Sequence, residues 1–527
     1  MIDKNLKDYI NSTPASNHWE KLGIKDHHGI TVPLFAIVCE KSSGIGEFLD
    51  LFEVIDFIKE IGFDTLQLLP LNETGKDPSP YNALSSLALN PLHISLHALE
   101  SLDDNYELKE KLKDFKIFNT YQRVHYLKLK KLKMDFLYDY YLYVFKTLKE
   151  NKEFNHFLQE NSWLEEYALY RTILEEQNDK HWDIWPDDLK NLNKKNIPSL
   201  IEKYHDKMHF YFFLQYLAFS QLQSVKKYAD ENNIFILGDV PILISPYSCD
   251  VWFNREIFDF TYVAGAPPDS YSLYGQKWGF PLFNWKKLEE NNYSWWKRRL
   301  KTIESLYHMY RIDHVVGFFR LWSIDPNSDA TEGRFIPRDP TSWKKEGTKR
   351  LKMMLHSSKL LPIAEDLGLI PKIVYKTLKE LGICGTKVIP WERTAFGYIK
   401  FNNYEPLSVT TISTHDSDTF EGWWETAVQY ATKFAKFKRW QYSYKLSYHQ
   451  RKELLYDSHH TSSIFHINLL QEYLALYPEL SYPDPDDERI NIPGTMLPTN
   501  WSYKYKVSFD KIKSHQKLKE DLKDLLK

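Results

Sequence analysis

The sequence predicts an α/β fold: a (β/α)8 TIM barrel with a large, mostly helical insertion between its second and third strands. Three observations point there. Seven short apolar runs, and an eighth of similar kind, end in polar, Gly or Pro residues and give way to helix-like periodicity, the alternation expected of a parallel sheet covered by helices. A G-x-G-x-x-G fingerprint is missing, which weakens the open doubly wound alternative. At 527 residues, 43% hydrophobic and 16% aromatic, the chain can bury a large core and is too long for one small domain.

In chain order the runs are VPLFAIV (32–38), FDTLQLLPL (63–71), NIFILGDVPI (233–242), HMYRIDHVVGF (308–318), LLPIAEDLG (360–368), GTKVIPWE (385–392), SVTTISTHDSDT (408–419) and SIFHINLL (463–470). Each is short enough for a buried strand and closes on a residue that resists continuing it. The stretch from about 95 to 205 is rich in Lys, Glu, Tyr and Leu at helical spacing, as in FLYDYYLYVFKTLKE (136–150), and reads as the helical insertion. The organisation is therefore 1–95 for the first two β/α units, 96–205 for the insertion, and 206–527 for the rest of the barrel with a loop at 265–285 and a C-terminal segment. LKLKKLKM (127–134) reads as the solvated face of a helix, and SYPDPDDERI (481–490) as a solvated loop.

The net charge of −3 gives no electrostatic case for nucleic acid or an anionic membrane, which clustered basic residues normally meet. The N-terminus lacks an apolar core flanked by basic residues, and no window of about 18 uncharged apolar residues occurs. Cys39, Cys249 and Cys384 are far apart and carry no CxxC or Cys/His spacing, so neither a disulfide framework nor a zinc site is indicated. A cytoplasmic, reducing location fits best.

In a barrel of this type the C-terminal strand ends form the active-site face. Those ends carry Asp239, then Arg311, Asp313 and His314, then Glu365 and Asp366, then His415 and Asp416. Glycoside chemistry needs two carboxyl groups, one to attack or stabilise an oxocarbenium-like centre and one to exchange a proton with the leaving and incoming oxygens. Asp313 fits the first role, with Arg311 two residues earlier on the same strand face to keep it ionised. Glu365 fits the second, its proton retained by the negative charge of Asp313 and Asp416. Taken singly, an Arg/Asp pair is more often structural, AEDLG could be a strand end followed by a helix cap, and His415 with Asp416 could be a turn. Their fall at successive strand ends favours a functional cluster.

A second clue is GAPPDSYSLYGQKWGFPLFNW (265–285), a loop dense in Gly, Pro, Tyr, Trp, Asn and Gln. That mixture stacks on sugar faces and hydrogen-bonds their hydroxyls, and a merely hydrophobic loop would not need Asp269 and Gln276.

The runs GDVPI, GAPPDSYSLYGQKWGFP, RIDHVVGF, AEDLG, THDSDT and NIPGT, with NW at 500–501, resemble in order and spacing those of the 4-alpha-glucanotransferases called amylomaltases or disproportionating enzymes, glycoside hydrolase family 77. The resemblance covers almost the whole chain, including WLEEYALYRTI and WDIWPDDL in the insertion. It implies Asp313 as nucleophile, Glu365 as general acid/base and Asp416 as transition-state stabiliser. It also implies substrate-binding roles for Tyr81, Asp239, Asp269, Gln276, Trp278, Arg311, His314, His415 and Asn500. It implies no metal and no organic cofactor. It implies malto-oligosaccharides and alpha-glucans (maltose, maltotriose, glycogen or starch fragments) as partners, and neither nucleic acid nor membrane is expected. The implied reaction moves alpha-1,4-glucan segments to the 4-hydroxyl of an acceptor by a retaining double displacement through a covalent glycosyl-enzyme. Val316, Ser413 and Ser417 depart from the common pattern, and RIDHVVGFFRLW resembles the plant cytosolic members that take maltose as donor, so donor and acceptor preference stay open. Two alternatives also remain: an alpha-glucan hydrolase on the same barrel, and a non-catalytic glucan-binding protein.

Overall fold

The computed structural model describes residues 4–148, 150–193, 195–268 and 272–527. Its strands are β1 (His27–Val32), β2 (Thr65–Leu68), β3 (Phe235–Pro241), β4 (Phe258–Ala266), β5 (Gln276–Phe283), β6 (Met309–Asp313) and β7 (Leu321–Ile324). They continue with β8 (Arg334–Ile336), β9 (Leu361–Ala364), β10 (Gly385–Val388), β11 (Arg393–Thr394), β12 (Gly397–Tyr398), β13 (Ser408–Thr411) and β14 (Phe465–Leu469).

Eight of these strands form one all-parallel sheet in the order β10-β13-β14-β1-β2-β3-β6-β9. They are short and almost wholly buried, as strands covered on both faces must be. The sheet curls until its outer strands meet: Ile363 on β9 bridges Cys384 in parallel, and the Ala364 N–H donates to the Cys384 carbonyl at 2.7 Å. The result is a nearly closed, barrel-like sheet. Asp366, one residue past Glu365, accepts from the Thr386 N–H at 2.7 Å and so stitches the same seam.

Seven of the eight apolar runs contain their strand. The exception is VPLFAIV, where the strand lies upstream at His27–Val32 and residues Leu34–Ala36 form a 3-10 turn. Pro33 cannot donate to a ladder, so the chain leaves the sheet there.

Helices fill the span between β2 and β3, ending in the long helix Ile197–Glu231. Buried ion pairs fasten them to the sheet. Lys133, in the helix Tyr126–Leu148, is fully buried and donates to Glu47 at 2.5 Å and to the Leu92 carbonyl at 2.7 Å. Arg171, in the helix Trp163–Glu176, meets Glu73 just beyond β2 at 3.1 Å, and the Tyr167 hydroxyl donates to the same carboxylate at 2.6 Å. The reading of LKLKKLKM as a solvated face therefore holds only for part of it, with Lys128 and Lys131 exposed. Lys133 is an internal pin and Lys130 donates to the Thr74 and Gly75 carbonyls, while Leu127 faces water.

A second insertion lies on the opposite side of the chain order. β4, β5, β7 and β8 form an antiparallel sheet in the order β5-β4-β7-β8, rooted beside β3 and β6. Within 265–285, residues Gln276–Phe283 are thus a strand paired with β4 rather than loop. Alternation was masked there by bulges between Asp259, Val263 and Gly265. Gly265 has no alternative, because a Cβ would lie 2.1 Å from the Gln276 carbonyl oxygen. The stretch 481–490 is also only partly solvated: Glu488 is buried, accepting from the Tyr482 N–H and the Tyr503 hydroxyl. Among the described residues no helix is long and apolar enough to cross a membrane, and all three cysteines are buried and unpaired.

Removing one partner of a buried ion pair strands the other charge. Lys133→Met should therefore cost about 3–5 kcal/mol in denaturant unfolding, and adding Glu47→Gln should restore part of it. A loss under about 1 kcal/mol, the size of an exposed pair, would show that the pin carries no load.

Candidate active site

The sheet register sets the centre of the site. Asp239 on β3 stands directly opposite Arg311 on β6, and Arg311 opposite Ile363 on β9. From that position the Arg311 guanidinium, largely buried, reaches Asp239 with Nη1 at 2.8 Å and Asp313 with Nη2 at 2.8 Å. The same Nη2 lies 4.0 Å from Glu365 Oε2. The Asp313 and Glu365 oxygens facing this nitrogen are therefore no further apart than the sum of those two distances. That ceiling excludes most of the roughly 6.5–9.5 Å range of inverting carboxyl pairs.

The backbone turns sharply after Asp313. His314 takes a left-handed conformation, φ 54°, and its N–H donates to Glu365 Oε2 at 2.7 Å. The Leu367 N–H donates to Oε1 at 2.8 Å. Burial raises the Glu365 carboxyl to about 7; Arg311 pulls against this and the charge of Asp313 adds to it. The dominant cause is therefore desolvation, where the sequence pointed to neighbouring charge from Asp313 and Asp416. Burial likewise lowers His314 to about 4, so its ring is a neutral donor and acceptor at pH 7. Burial raises Asp239, against the pull of Arg311.

The Tyr81 hydroxyl donates to Asp239 at 2.8 Å, and its ring stacks on His415 with centroids 5.3 Å apart. Asp416, half exposed, lies 3.5 Å from His415 Nε2 and accepts from Asn491 Nδ2 at 2.7 Å. Trp278 on β5 meets the His314 ring edge-to-face at 4.9 Å and donates Nε1 to Gln276 at 3.0 Å.

Thus Tyr81, Asp239, Gln276, Trp278, Arg311, Asp313, His314, Glu365, His415 and Asp416 form one contact-linked group. Asp269 lies outside the described residues. Asn500 does not join the group directly: its amide donates to the Thr495 carbonyl at 3.0 Å and its oxygen accepts from the Ile492 N–H at 3.2 Å, so it braces the 492–495 turn.

Two residues escaped the sequence reading. Asn491 holds Asp416, and Trp501, at φ 59°, backs both Tyr81 and His415 with its ring. Both sit in motifs already singled out, NIPGT and NW, yet nothing in a sequence says that this segment returns to the strand ends.

The arrangement holds three carboxyls around one cation, Glu365 among them raised to about 7, in a cleft flanked by aromatic rings. That is a set able to exchange a proton and stabilise or attack a cationic carbon.

Comparison with known proteins agrees in kind. The family model described as 4-alpha-glucanotransferase matches residues 32–509. A 4-alpha-glucanotransferase of Chlamydia pneumoniae is 43% identical over 99% of both chains, and one of Clostridium butyricum 32% identical over 88% of this chain and 93% of its own. An amylomaltase from Streptococcus agalactiae, solved in complex with acarbose, is 24% identical with a TM-score of 0.80 over 95% of this chain and 98% of that one, a likeness of fold.

The raised Glu365 value fixes a sign. An unburied glutamate releases its proton near 4.5 and this one near 7, so the folded state binds more protons between those values and stability falls as pH rises through that window. Glu365→Gln escapes the loss. Apart from a pH-independent offset for the lost acceptor, it should gain on the wild type from pH 5 to pH 8 by up to roughly 3 kcal/mol. Chemical denaturation at both pH values checks this, and a constant difference would mean that Glu365 titrates normally.

Proposed function

The chain belongs to the 4-alpha-glucanotransferase family, glycoside hydrolase family 77, and is an enzyme that transfers alpha-1,4-glucan segments; from this premise we propose which residues carry the transfer and how. The observation that carries the reading is the single Arg311 guanidinium held between Asp313 and Glu365, with Glu365 raised to about 7.

Asp313 is the nucleophile. Its carboxylate attacks the anomeric carbon of the donor, and as the bond to the leaving glucan breaks the electron pair goes to the departing oxygen, which takes the proton of Glu365. In the second half the 4-hydroxyl of an acceptor glucan attacks the same carbon, Glu365 takes up its proton, and Asp313 is released. Two inversions give retention. The Arg311 guanidinium faces the attacking carboxylate of Asp313 at 2.8 Å, and burial supports the protonated state Glu365 needs first.

Asp416, oriented by Asn491, accepts hydroxyls of the distorting sugar and stabilises positive charge on its ring. Tyr81 and His415 form an aromatic wall beside it, and Asp239 with Arg311 fixes the floor. Gln276 and Trp278 face the acceptor from the hairpin of β4 and β5, with Asp269 as a further contact and Asn500 bracing the turn opposite. The eight-stranded sheet is read as a (β/α)8 barrel with 96–205 as its helical subdomain. Maltose, maltotriose and glycogen or starch fragments are the substrates, in a reducing cytoplasm that three unpaired cysteines suit.

Incubation with pure maltotriose and mass analysis over time tests the reading: a growing ladder of longer glucans is expected, whereas free glucose without a ladder would make the chain a hydrolase. Asp313→Asn keeps the side-chain shape but cannot attack, so transfer should fall by roughly 3 orders of magnitude or more while glucan binding survives. Retention above about a tenth would move the nucleophile elsewhere.

Trp278→Ala should raise the ratio of glucose released to glucan transferred. A stacked acceptor excludes water, and losing the stack costs roughly 1 kcal/mol of acceptor binding. An unchanged ratio with both reactions slowed alike would reduce Trp278 to packing against His314.

A further inference from the structure

The turn that carries His415 and Asp416 runs from the end of β13 to the helix Phe420–Thr426. Both of its ends reach one oxygen. The Ser413 hydroxyl donates to Glu472 Oε1 at 2.5 Å, and the Phe420 N–H donates to the same atom at 2.9 Å. Glu472 lies in the short helix Leu470–Leu474 that follows β14 and is 6% exposed. A single buried carboxyl thus closes the turn on itself, with Asp416 on the closed loop.

The bonds inside the turn are local. The Thr414 N–H donates to the Ser417 hydroxyl at 2.9 Å, the Ser417 N–H to the Thr414 carbonyl at 3.1 Å, and the Asp416 N–H to the Thr414 hydroxyl at 3.3 Å. They fix the shape of the turn, whereas its placement depends on other elements. Asn491 supplies one support directly, donating its N–H to the His415 carbonyl at 3.2 Å and its amide to Asp416. Glu472 touches neither His415 nor Asp416 and holds the backbone on either side of them.

Packing secures the downstream end on one side only. Phe420 meets the rings of Trp423 and Phe434, but Thr419, Phe420 and Glu472 also line a cavity of about 290 Å³. A void offers no contact atoms to resist a shift. Hydrogen bonds to a buried carboxyl are among the strong ones, and leaving their donors unmatched is costly, so they can hold what packing does not. Ser413 is one of the positions at which this chain departs from the common family pattern, and its hydroxyl makes the upstream half of the tie.

We propose that Glu472 is a positioning residue for the transfer: by accepting from both ends of the turn it sets where Asp416 stands beside the sugar, and Ser413 supplies the half of the tie particular to this chain. The inference rests on the role of Asp416 given above. Asp416 is half exposed, and a charge held in place stabilises a transition state better than one that must reorganise.

Steady-state maltotriose transfer, expressed per folded molecule from near-UV circular dichroism, tests the tie. Glu472→Ala should lower kcat on the order of thirtyfold. KM should change by less than about threefold, because ground-state contacts elsewhere in the cleft persist. Both partners are donors, so Glu472→Gln, which keeps an accepting oxygen, should recover most of kcat. Ser413→Ala should cost roughly fivefold and takes the place of Glu472→Ala throughout if that variant does not fold. Asp416→Asn alone should cost roughly a hundredfold or more, and adding Glu472→Ala to it should cost little further, because the group being misplaced no longer contributes. A Glu472→Ala variant with lowered Tm but intact kcat per folded molecule would reduce Glu472 to stability alone. Losses from Glu472→Ala and Asp416→Asn that multiply would place its effect elsewhere, and Glu472→Gln as slow as Glu472→Ala would exclude the accepting oxygen as the cause. An Asp416→Asn enzyme as fast as the wild type would sink the reading of Asp416 itself, a failure distinct from these three.

Discussion

The constraint on which everything near the strand ends depends is the neutralisation of several buried carboxyls by one guanidinium. Arg311 touches Asp239 and Asp313 at hydrogen-bond distance and Glu365 more loosely. A planar fork can serve two acids at once where an ammonium would act as a point charge. Because the third contact is longer, the field is uneven: Asp239 and Asp313 meet the cation at contact distance, while at Glu365 burial prevails and raises the carboxyl to about 7.

That cation needs a rigid frame, and the frame is assembled from distant parts of the chain. β3 and β6 place Asp239 and Arg311 in register, and the His314 N–H at the end of β6 donates to Glu365. The helical insertion is fastened by charges that have no access to water, Lys133 with Glu47 and Arg171 with Glu73. Such pairs contribute little net stability over apolar packing, but they tolerate few alternative arrangements. The insertion is therefore seated in one way on the sheet that bears the site.

Much of this was legible in the sequence, and what was not has physical causes. Short apolar runs with polar ends located seven strands, because a fully buried parallel strand has little freedom of composition. The pairing of Arg311 with Asp313 followed from strand periodicity alone. The hairpin of β4 and β5 hid behind bulges, and β1 hid because HHGITV carries two histidines where an apolar run was sought. Lys133 was misread because burial of a lysine is decided by an acid 86 residues away. Asn491 and Trp501 depend on where the C-terminal segment lands, which no local pattern encodes.

The seam between β9 and β10 has a consequence of a mechanical kind. Every other neighbour in the sheet is joined by a ladder of paired residues, whereas this joint has one bridge, one backbone hydrogen bond, the Asp366 stitch and the Thr386 hydroxyl donating to the Ala364 carbonyl. Glu365 projects from the strand on its flank. In a closed hoop, strain concentrates at the least-joined point, so breathing of the ring opens between β9 and β10, while Glu365 stays tied to the strand of Asp313. Its N–H donates to the Ile312 carbonyl, its carbonyl accepts from the Val315 N–H and its carboxylate from the His314 N–H. The span between the two acids is thus carried by paired backbone, and the give of the ring falls on the far side of β9. A chain that must let one glucan leave and another enter keeps its two acids at a set span while the ring yields beyond them.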